Sequence, residues 1–147
     1  MTTITYKDGI IAFDSRITVD GIVVGEADKG VSTDRYLGAV AGDFTSIPVL
    51  RDWVKDDLQG KPKLPKDAEY LMLLIDRKTR DIMVFDNSLK PMTMDNRVFA
   101  AGSGANHAYG AMHVGASAKD AVIAAAAYDG HTGGRIRTRV LFNKDKQ

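Results

Sequence analysis

The sequence predicts an α+β fold in which two antiparallel sheets pack face to face and helices cover their outer faces. Short strand-like segments separated by Asp-Gly turns fill the opening third of the chain. One segment with helical spacing follows, then more strands, then two further helices and a last strand. With the elements in this order, both faces of each sheet must be packed against another layer. A four-layer αββα sandwich, with the sheets inside and the helices outside, provides those layers.

Three hairpins account for the opening third. Asp8-Gly9 and Asp20-Gly21 are each flanked by apolar strand-like runs, and Asp-Gly is a strong signal for a tight turn. A third hairpin is predicted from Val31 to Ala41, because polar residues interrupt the run at 33–35. The first hairpin joins strands at residues 4–6 and 10–13, and the second joins strands at residues 17–19 and 22–24.

A first helix is predicted to begin at Thr45 or Ser46, either of which can cap it, and to end at Gly60. Pro48 falls in its first turn, where proline is tolerated. Apolar residues recur at helical spacing and predict one buried stripe, formed by Ile47, Leu50, Trp53, Val54 and Leu58.

The rest of the chain predicts strands and two more helices. A hairpin is expected from residues 70–75 and 82–85, and the near-continuous apolar run at 70–75 indicates a strand covered on both faces. Two helices, at 105–114 and 117–128, break at Gly115. Further strands are predicted at 98–101 and 136–142, with the arginines at 135, 137 and 139 on a solvated face.

Length and composition limit the function classes. The 147 residues are predicted to form one domain over 1–147. Twenty basic and nineteen acidic residues leave a net charge of +1, so no nucleic-acid partner is implied. The absence of cysteine excludes a disulfide framework and a thiolate nucleophile. No apolar run would span a membrane and no signal-peptide pattern is present, so we expect a cytoplasmic protein.

Thr2 is the first candidate for chemistry. Removal of the initiator methionine would give a threonine whose hydroxyl and free α-amino group lie within reach of each other. An α-amino group has a pKa of about 8, so it can accept the hydroxyl proton near neutral pH. Asp14 and Lys29 could supply a carboxylate and an ammonium that hold and tune this pair. Taken singly, each of the three residues could instead lie in a surface strand or a solvated turn.

Six short patterns carry a resemblance to a known family. In chain order they are Thr2-Thr3-Ile4, Ala12-Phe13-Asp14-Ser15-Arg16, Lys29, Ala41-Gly42, Gly102-Ser103-Gly104 followed by Ala108-Tyr109-Gly110, and the segment 128–134. Through them the chain resembles the proteasome-type N-terminal-nucleophile (Ntn) hydrolases, which include the proteasome β-subunit and its bacterial relative that works with an AAA+ unfoldase. Their joint occurrence favours catalysis over the separate surface interpretations.

The resemblance implies a role for each of four matching residues at the reaction centre. Thr2 matches the nucleophile, Lys29 matches the lysine that stabilises its alkoxide, and Asp14 matches the aspartate that orients this lysine. Gly42 matches the glycine whose backbone N–H stabilises the tetrahedral oxyanion.

Three further matches lie around the threonine amine. Ser103 matches the serine beside it, and Asp129 and Thr132 match the aspartate and serine that complete the hydrogen-bond network, with threonine replacing the serine. By the same pattern the pocket for the residue before the cut would favour apolar side chains, because its flanks would be Ile17, Ala27 and Val31.

The resemblance also implies partners and one departure. It implies a threonine peptidase that forms a homo-oligomeric ring, acts on peptides or unfolded proteins and could work with an AAA+ unfoldase. It requires no cofactor or metal, and the three histidines (His107, His113, His131) lack metal-ligand spacing. Between Gly60 and Tyr70 only a proline-containing connection fits where the family has a second helix, so one outer layer is expected to be reduced.

Two other functions stay open. A hydrolase of small amides could use the same residues. A non-catalytic scaffold could retain the fold alone, although a scaffold has no physical need for Thr2, Asp14 and Lys29 together.

Overall fold

The structure is a computed structural model that describes residues 2–95 and 97–142. Within these ranges the chain forms strands and three helices. In chain order they are β1 (Thr3–Lys7), β2 (Ile10–Phe13), β3 (Arg16–Val19), β4 (Ile22–Glu26), β5 (Gly30–Ser32), β6 (Tyr36–Gly42), α1 (Ser46–Lys55), β7 (Tyr70–Asp76), β8 (Ile82–Phe85), β9 (Met92–Met94), β10 (Val98–Gly102), α2 (Ala105–His113), α3 (Ala118–Tyr128) and β11 (Arg137–Val140).

The strands form three antiparallel sheets. One sheet has the order β10-β1-β2-β11, a second has the order β5-β6-β7-β8-β9, and β3 pairs only with β4. In the first sheet β1 is central, and Thr3 lies opposite Gly102 while Ile4 lies opposite Phe13. This register brings Thr2 next to the residues that follow β2 and β10.

Separate apolar clusters show which elements pack together. Ile4, Ile11 and Phe13 of the first sheet share a cluster with Leu37 and Leu73 of the second, so the two sheets bury their apolar faces against each other. The stripe of α1 packs on the other face of the second sheet, in a cluster formed by Leu50, Trp53, Val54, Val40 and Met72 among others. Small residues of α2 and α3 pack against the first sheet, including Ala108, Ala118 and Ala121.

The α+β class and the predicted hairpins are confirmed. Both Asp-Gly turns are present, with Gly9 and Gly21 at φ angles of 76° and 78°. Such left-handed angles favour glycine. The strand from Tyr70 is buried along almost its whole length, and Ser117 caps α3 by accepting a hydrogen bond from the Asp120 N–H. The αββα layer order and the single-domain organisation of residues 1–147 stay predictions.

The predicted course of α1 is wrong at its C-terminal end. The helix ends at Lys55, because Asp57 and Leu58 adopt left-handed backbone angles (φ of 59° and 61°). Leu58 therefore packs against the α1 cluster from outside the helix. Thr45 is the N-cap residue but makes no side-chain capping bond, while the Ser46 hydroxyl donates to the Asp43 carbonyl at 2.5 Å.

One observed strand has no counterpart among the predictions, and one further prediction is wrong. Strand β9 was not expected, since Met92-Thr93-Met94 is too short and too polar in context to stand out. The three arginines do not form one solvated face. Arg135 is exposed, but Arg137 and Arg139 on β11 are half-buried, and Thr138 and Val140 are the exposed residues of this strand. Arg139 pairs with Asp28 at 2.7 Å and lies over the Phe13 ring, which explains its direction.

The connection between α1 and β7 contains no helix in residues 56–69, all of which the structure describes. Trp53 holds part of this segment in place, because its indole N–H donates to the Gly60 carbonyl at 3.1 Å. In the described ranges no helix is long and apolar enough to cross a membrane.

Two isoleucines, one in the core and one on the hairpin of β3 and β4, allow a matched test of the packing between the two sheets. Ile11 is fully buried between the sheets, whereas Ile22 on β4 is 65% exposed. We expect Ile11→Ala to lower the free energy of unfolding by about 2–5 kcal/mol, because it leaves a cavity in a close-packed core. Ile22→Ala should change it by no more than about 0.5 kcal/mol. Urea unfolding of both variants checks this, and equal losses would contradict the described packing.

Candidate active site

A buried lysine joins the start of the chain to the end of β2. Lys29 Nζ donates to the Thr2 hydroxyl oxygen at 2.5 Å and to Asp14 Oδ1 at 3.1 Å. All three residues are nearly inaccessible, with Lys29 only 1% exposed. Burial lowers the pKa of Lys29 below its ordinary value, although the Asp14 carboxylate acts in the opposite direction. A cation at this distance from a hydroxyl favours the alkoxide form of that hydroxyl.

Asp14 is held by donors from three parts of the chain. Besides Lys29, its Oδ1 accepts the Thr3 backbone N–H at 3.2 Å, and its Oδ2 accepts the Gly133 N–H at 3.0 Å. Both carboxylate oxygens are therefore satisfied in an environment without solvent. This arrangement fixes the carboxylate and, through it, the direction of the lysine side chain.

The backbone on either side of Lys29 is tied down by an arginine from α1. The Arg51 guanidinium donates to the Asp28 carbonyl at 2.6 Å and to the Gly30 carbonyl at 3.0 Å. The Asp28 carboxylate in turn accepts the Gly30 N–H at 2.9 Å. No sequence signal distinguishes Arg51 from any other polar helix residue, so sequence reasoning missed it.

A second hydrogen-bond chain lies beside the first. Asp129 Oδ2 accepts the Ser103 hydroxyl at 2.5 Å and the Thr132 hydroxyl at 2.7 Å, and Thr132 Oγ1 lies 2.7 Å from Thr3 Oγ1. Because the single hydroxyl proton of Thr132 goes to Asp129, Thr3 is the donor in the last bond. Partial burial works to raise the pKa of Asp129, but hydrogen bonds from the Ser103 and Thr132 hydroxyls, together with His131, outweigh it and leave the pKa below its ordinary value.

Glycine at position 102 allows this second chain to approach Thr2. Its φ is 97°, and a Cβ there would collide with the Thr2 carbonyl. The next residue, Ser103, donates its backbone N–H to that same carbonyl at 2.9 Å. Ser103 therefore reaches Thr2 through its main chain, and its hydroxyl points to Asp129.

The Thr2–Lys29 pair lies in a cleft of about 940 Å³. Gly42, at the end of β6, is part of the lining, and its φ of 115° brings it against the backbone of Glu69 and Tyr70. A side chain at this position would collide with the Glu69 carbonyl. Glycine therefore allows the end of β6 to lie close against the backbone at the start of β7.

The structure brings the sequence-predicted site residues into two connected groups. Thr2, Asp14 and Lys29 form the first, and Ser103, Asp129 and Thr132 form the second, joined to the first through Thr3 and the Thr2 carbonyl. Of the three predicted pocket residues, Ile17 lines the cleft. Val31 belongs to the α1 cluster instead, and Ala27 is exposed outside the cleft lining.

A metal site is not apparent in residues 2–95 and 97–142, where no three His, Asp or Glu side chains gather closely enough to hold an ion. His107, His113 and His131 are all exposed.

Comparison with solved structures agrees with this fold, whereas two other comparisons found no match. No model of a known protein family matches the sequence, and no curated protein matches it. Among solved structures, BPH of Thiobacillus denitrificans, a bacterial proteasome homologue, aligns with a TM-score of 0.69 and 22% identity over 95% of this chain and 96% of that chain. The same protein in complex with epoxomicin aligns with a TM-score of 0.70 and the same identity and coverage. The chain therefore has a proteasome-like fold.

Substitution at Gly102 tests the close approach at Thr2. Gly102→Ala should lower the free energy of unfolding by about 1–3 kcal/mol, because the new Cβ meets the Thr2 carbonyl at a left-handed backbone angle. Gly110→Ala is the control, since Gly110 lies in α2 with open space around it. That change should stabilise the protein by about 0.5–1 kcal/mol. Thermal unfolding of both variants decides, and a stabilising Gly102→Ala would refute the described contact.

Removing the charge of Asp14 tests the buried ion pair. Asp14→Asn should lower the free energy of unfolding by about 3–5 kcal/mol, because it leaves the Lys29 ammonium buried without a counter-charge. Adding Lys29→Met should recover part of this loss. The matched control is Asp28→Asn in a half-exposed pair with Arg139, which should cost about 0–1 kcal/mol. Urea unfolding near pH 7 compares them, and similar losses at both sites would count against a desolvated pair.

Proposed function

We propose that this protein is a threonine peptidase of the proteasome type, with Thr2 as the nucleophile after removal of Met1. The observation that carries the proposal is the 2.5 Å contact between the buried Lys29 ammonium and the Thr2 hydroxyl oxygen. A threonine that merely begins a strand has no physical need for a desolvated lysine and its aspartate partner, since burying such a pair costs free energy. Met1 itself lies outside the described residues.

In the proposed reaction the Thr2 hydroxyl attacks the carbonyl carbon of a peptide bond. The α-amino group of Thr2, exposed by loss of Met1, accepts the hydroxyl proton directly or through one water. Lys29 stabilises the negative charge that develops on the Thr2 oxygen, and Asp14 keeps the lysine in position. In this scheme Lys29 is an electrostatic stabiliser, while the proton moves from oxygen to the α-amino nitrogen.

The tetrahedral intermediate carries its charge on the former carbonyl oxygen. The Gly42 backbone N–H is proposed as its donor, since Gly42 lines the cleft. Collapse of the intermediate breaks the C–N bond, the departing amine takes the proton from the Thr2 ammonium, and an ester with Thr2 remains. Water then attacks this ester with the same amine as base and regenerates the hydroxyl.

The second hydrogen-bond chain is proposed to hold the threonine backbone during this cycle. Ser103 anchors the Thr2 carbonyl, and Asp129 and Thr132 connect that anchor to Thr3. Because Thr3 also donates its N–H to Asp14, a shift at Thr2 would disturb both groups at once. This coupling would keep the hydroxyl, the amine and Lys29 in one geometry.

Assembly and location belong to the same proposal. A homo-oligomeric ring in the cytoplasm, with the clefts facing an interior chamber, would restrict access to peptides and unfolded chains, and an AAA+ unfoldase could feed it. The proteasome-like fold of the chain supports this view, and so does the Thiobacillus denitrificans neighbour that binds epoxomicin. In that arrangement the shortened segment between α1 and β7 would correspond to the reduced outer layer of an αββα sandwich.

The test has two readouts on protein purified from its own host. Intact mass should show loss of Met1, and a fluorogenic peptide should be cleaved by the wild type. Thr2→Ala should abolish cleavage, while Thr2→Ser should retain part of it because serine keeps the hydroxyl and the amine. A processed wild type that cleaves no peptide, or equal activity in Thr2→Ala, would exclude the proposed mechanism.

A further inference from the structure

Lys29 reaches Thr2 from a short connection without regular structure. Residues 27–29 join β4 to β5, and β5 is the edge strand of the second sheet. The neighbouring strand β6 holds the peptide group of the lysine, because the Val40 N–H donates to the Lys29 carbonyl at 3.0 Å. The other backbone groups of this connection need partners from elsewhere in the chain, since peptide groups away from water are costly when unpaired. We name residues 27–30 the lysine loop.

Arg51 supplies hydrogen-bond donors on both sides of the lysine. Its Nη2 donates to the Asp28 carbonyl at 2.6 Å and to the Gly30 carbonyl at 3.0 Å, and its Nε donates to the Gly30 carbonyl at 3.2 Å. The rigid guanidinium fork therefore holds the carbonyls before and after Lys29 in one geometry. Arg51 forms no ion pair with the residues that the structure describes, so its guanidinium is committed to the lysine loop.

The helix α1 gives this arginine a fixed base. Leu50 and Trp53, which flank Arg51 in sequence, are buried in the cluster that packs α1 on the second sheet. Arg51 itself is half-buried. Because α1 cannot shift without disturbing a close-packed cluster, the hydrogen bonds of Arg51 tie the lysine loop to a rigid element.

The other anchor of the lysine loop is more exposed to water. The Asp28 carboxylate accepts the Gly30 N–H at 2.9 Å and pairs with Arg139 of β11 at 2.7 Å. A Cβ at Gly30 would lie 2.6 Å from the Phe13 ring, so the loop lies close against β2. The ion pair is half-exposed, and such pairs contribute little to stability. We therefore expect the contacts of Arg51 to hold the loop more firmly.

The position of the lysine loop sets the position of the ammonium group. Lys29 Nζ lies 2.5 Å from the Thr2 hydroxyl oxygen and 3.1 Å from Asp14 Oδ1. Asp14 fixes the far end of the lysine side chain, and Arg51 fixes the backbone at its near end. Electrostatic stabilisation falls with distance, and a misplacement of about 1 Å can cost about a hundredfold in rate.

We propose that Arg51 is a positioning residue of the reaction: it holds the peptide groups on both sides of Lys29 and thereby keeps the Lys29 ammonium against the Thr2 hydroxyl. Arg51 acts through the lysine, since it is not part of the lining of the cleft as the structure describes it. This inference rests on the proposed peptidase function and adds to it a residue of α1 that no catalytic pattern in the sequence marks.

The first experiment measures the steady-state cleavage of a fluorogenic peptide. Arg51→Met removes the donors and keeps an apolar stem. It should lower kcat about tenfold to a hundredfold and change KM less than about twofold, because Lys29 stabilises charge that develops only in the transition state. Arg51→Lys keeps a cation without the rigid fork and should recover part of this loss. Wild-type kcat in Arg51→Met would overturn the inference and leave the peptidase proposal intact.

Arg77 provides the matched control. It is also half-buried, and it donates to the carbonyls of Thr33 and Leu141, outside the lysine loop. Arg77→Met should therefore lower the free energy of unfolding as Arg51→Met does, but leave kcat unchanged. Urea unfolding of both variants identifies conditions in which the assayed protein is folded. An equal fall of kcat in the two variants would point to a general loss of structure and would overturn the inference.

A measurement without turnover separates this inference from the proposed function. In the wild type, burial lowers the pKa of Lys29 below its ordinary value. A loosened lysine loop would let water reach the ammonium, so Arg51→Met should raise this pKa toward its ordinary value, and Arg77→Met should not. NMR titration of protein with isotope-labelled lysine measures it, and Lys29→Met assigns the signal.

The result of this titration does not depend on cleavage. A raised pKa of Lys29 in Arg51→Met alone would support the positioning role even if the wild type proved to cleave nothing. The same pKa in the wild type and in Arg51→Met would refute the positioning role whatever the activity.

Discussion

The buried contact of Lys29 with Asp14 and Thr2 is the interaction on which the rest of the structure depends. Two opposite charges without solvent are stabilising only when their remaining hydrogen-bonding capacity is satisfied. The chain supplies donors for Asp14 from Thr3 and from Gly133, and Arg51 secures the backbone around the lysine. Segments that are far apart in sequence must therefore converge on one point before the pair can exist.

Three arginines of this molecule tie irregular backbone to regular elements. Arg16 donates to carbonyls of Gly130 and Thr132, Arg51 to those of Asp28 and Gly30, and Arg77 to those of Thr33 and Leu141. A planar guanidinium presents five donors in a rigid fork, so it can hold two carbonyls in one fixed geometry. None of these three arginines takes part in an ion pair within the described ranges.

Features with a local cause were predictable from the sequence, and features with a distant cause were not. The Asp-Gly turns and the α3 cap follow from neighbouring residues, and both are present. The sequence does not predict the end of α1 at Lys55, because the residue types at Asp57 and Leu58 give no sign of their left-handed backbone angles. That Thr2, Asp14 and Lys29 lie together is predicted through the family resemblance. No sequence pattern marks the contacts of Arg51 and Thr3.

The hydrogen bond between Gly133 and Asp14 has a consequence for the order of events during synthesis. The two residues are 119 positions apart, and Thr3 and Thr132 are 129 apart. A ribosome must synthesise the chain beyond residue 133 before both bonds can form, and the closure of such distant contacts is slow. The nascent polypeptide consequently cannot satisfy both oxygens of the Asp14 carboxylate in this way until the segment around Gly133 has left the ribosome.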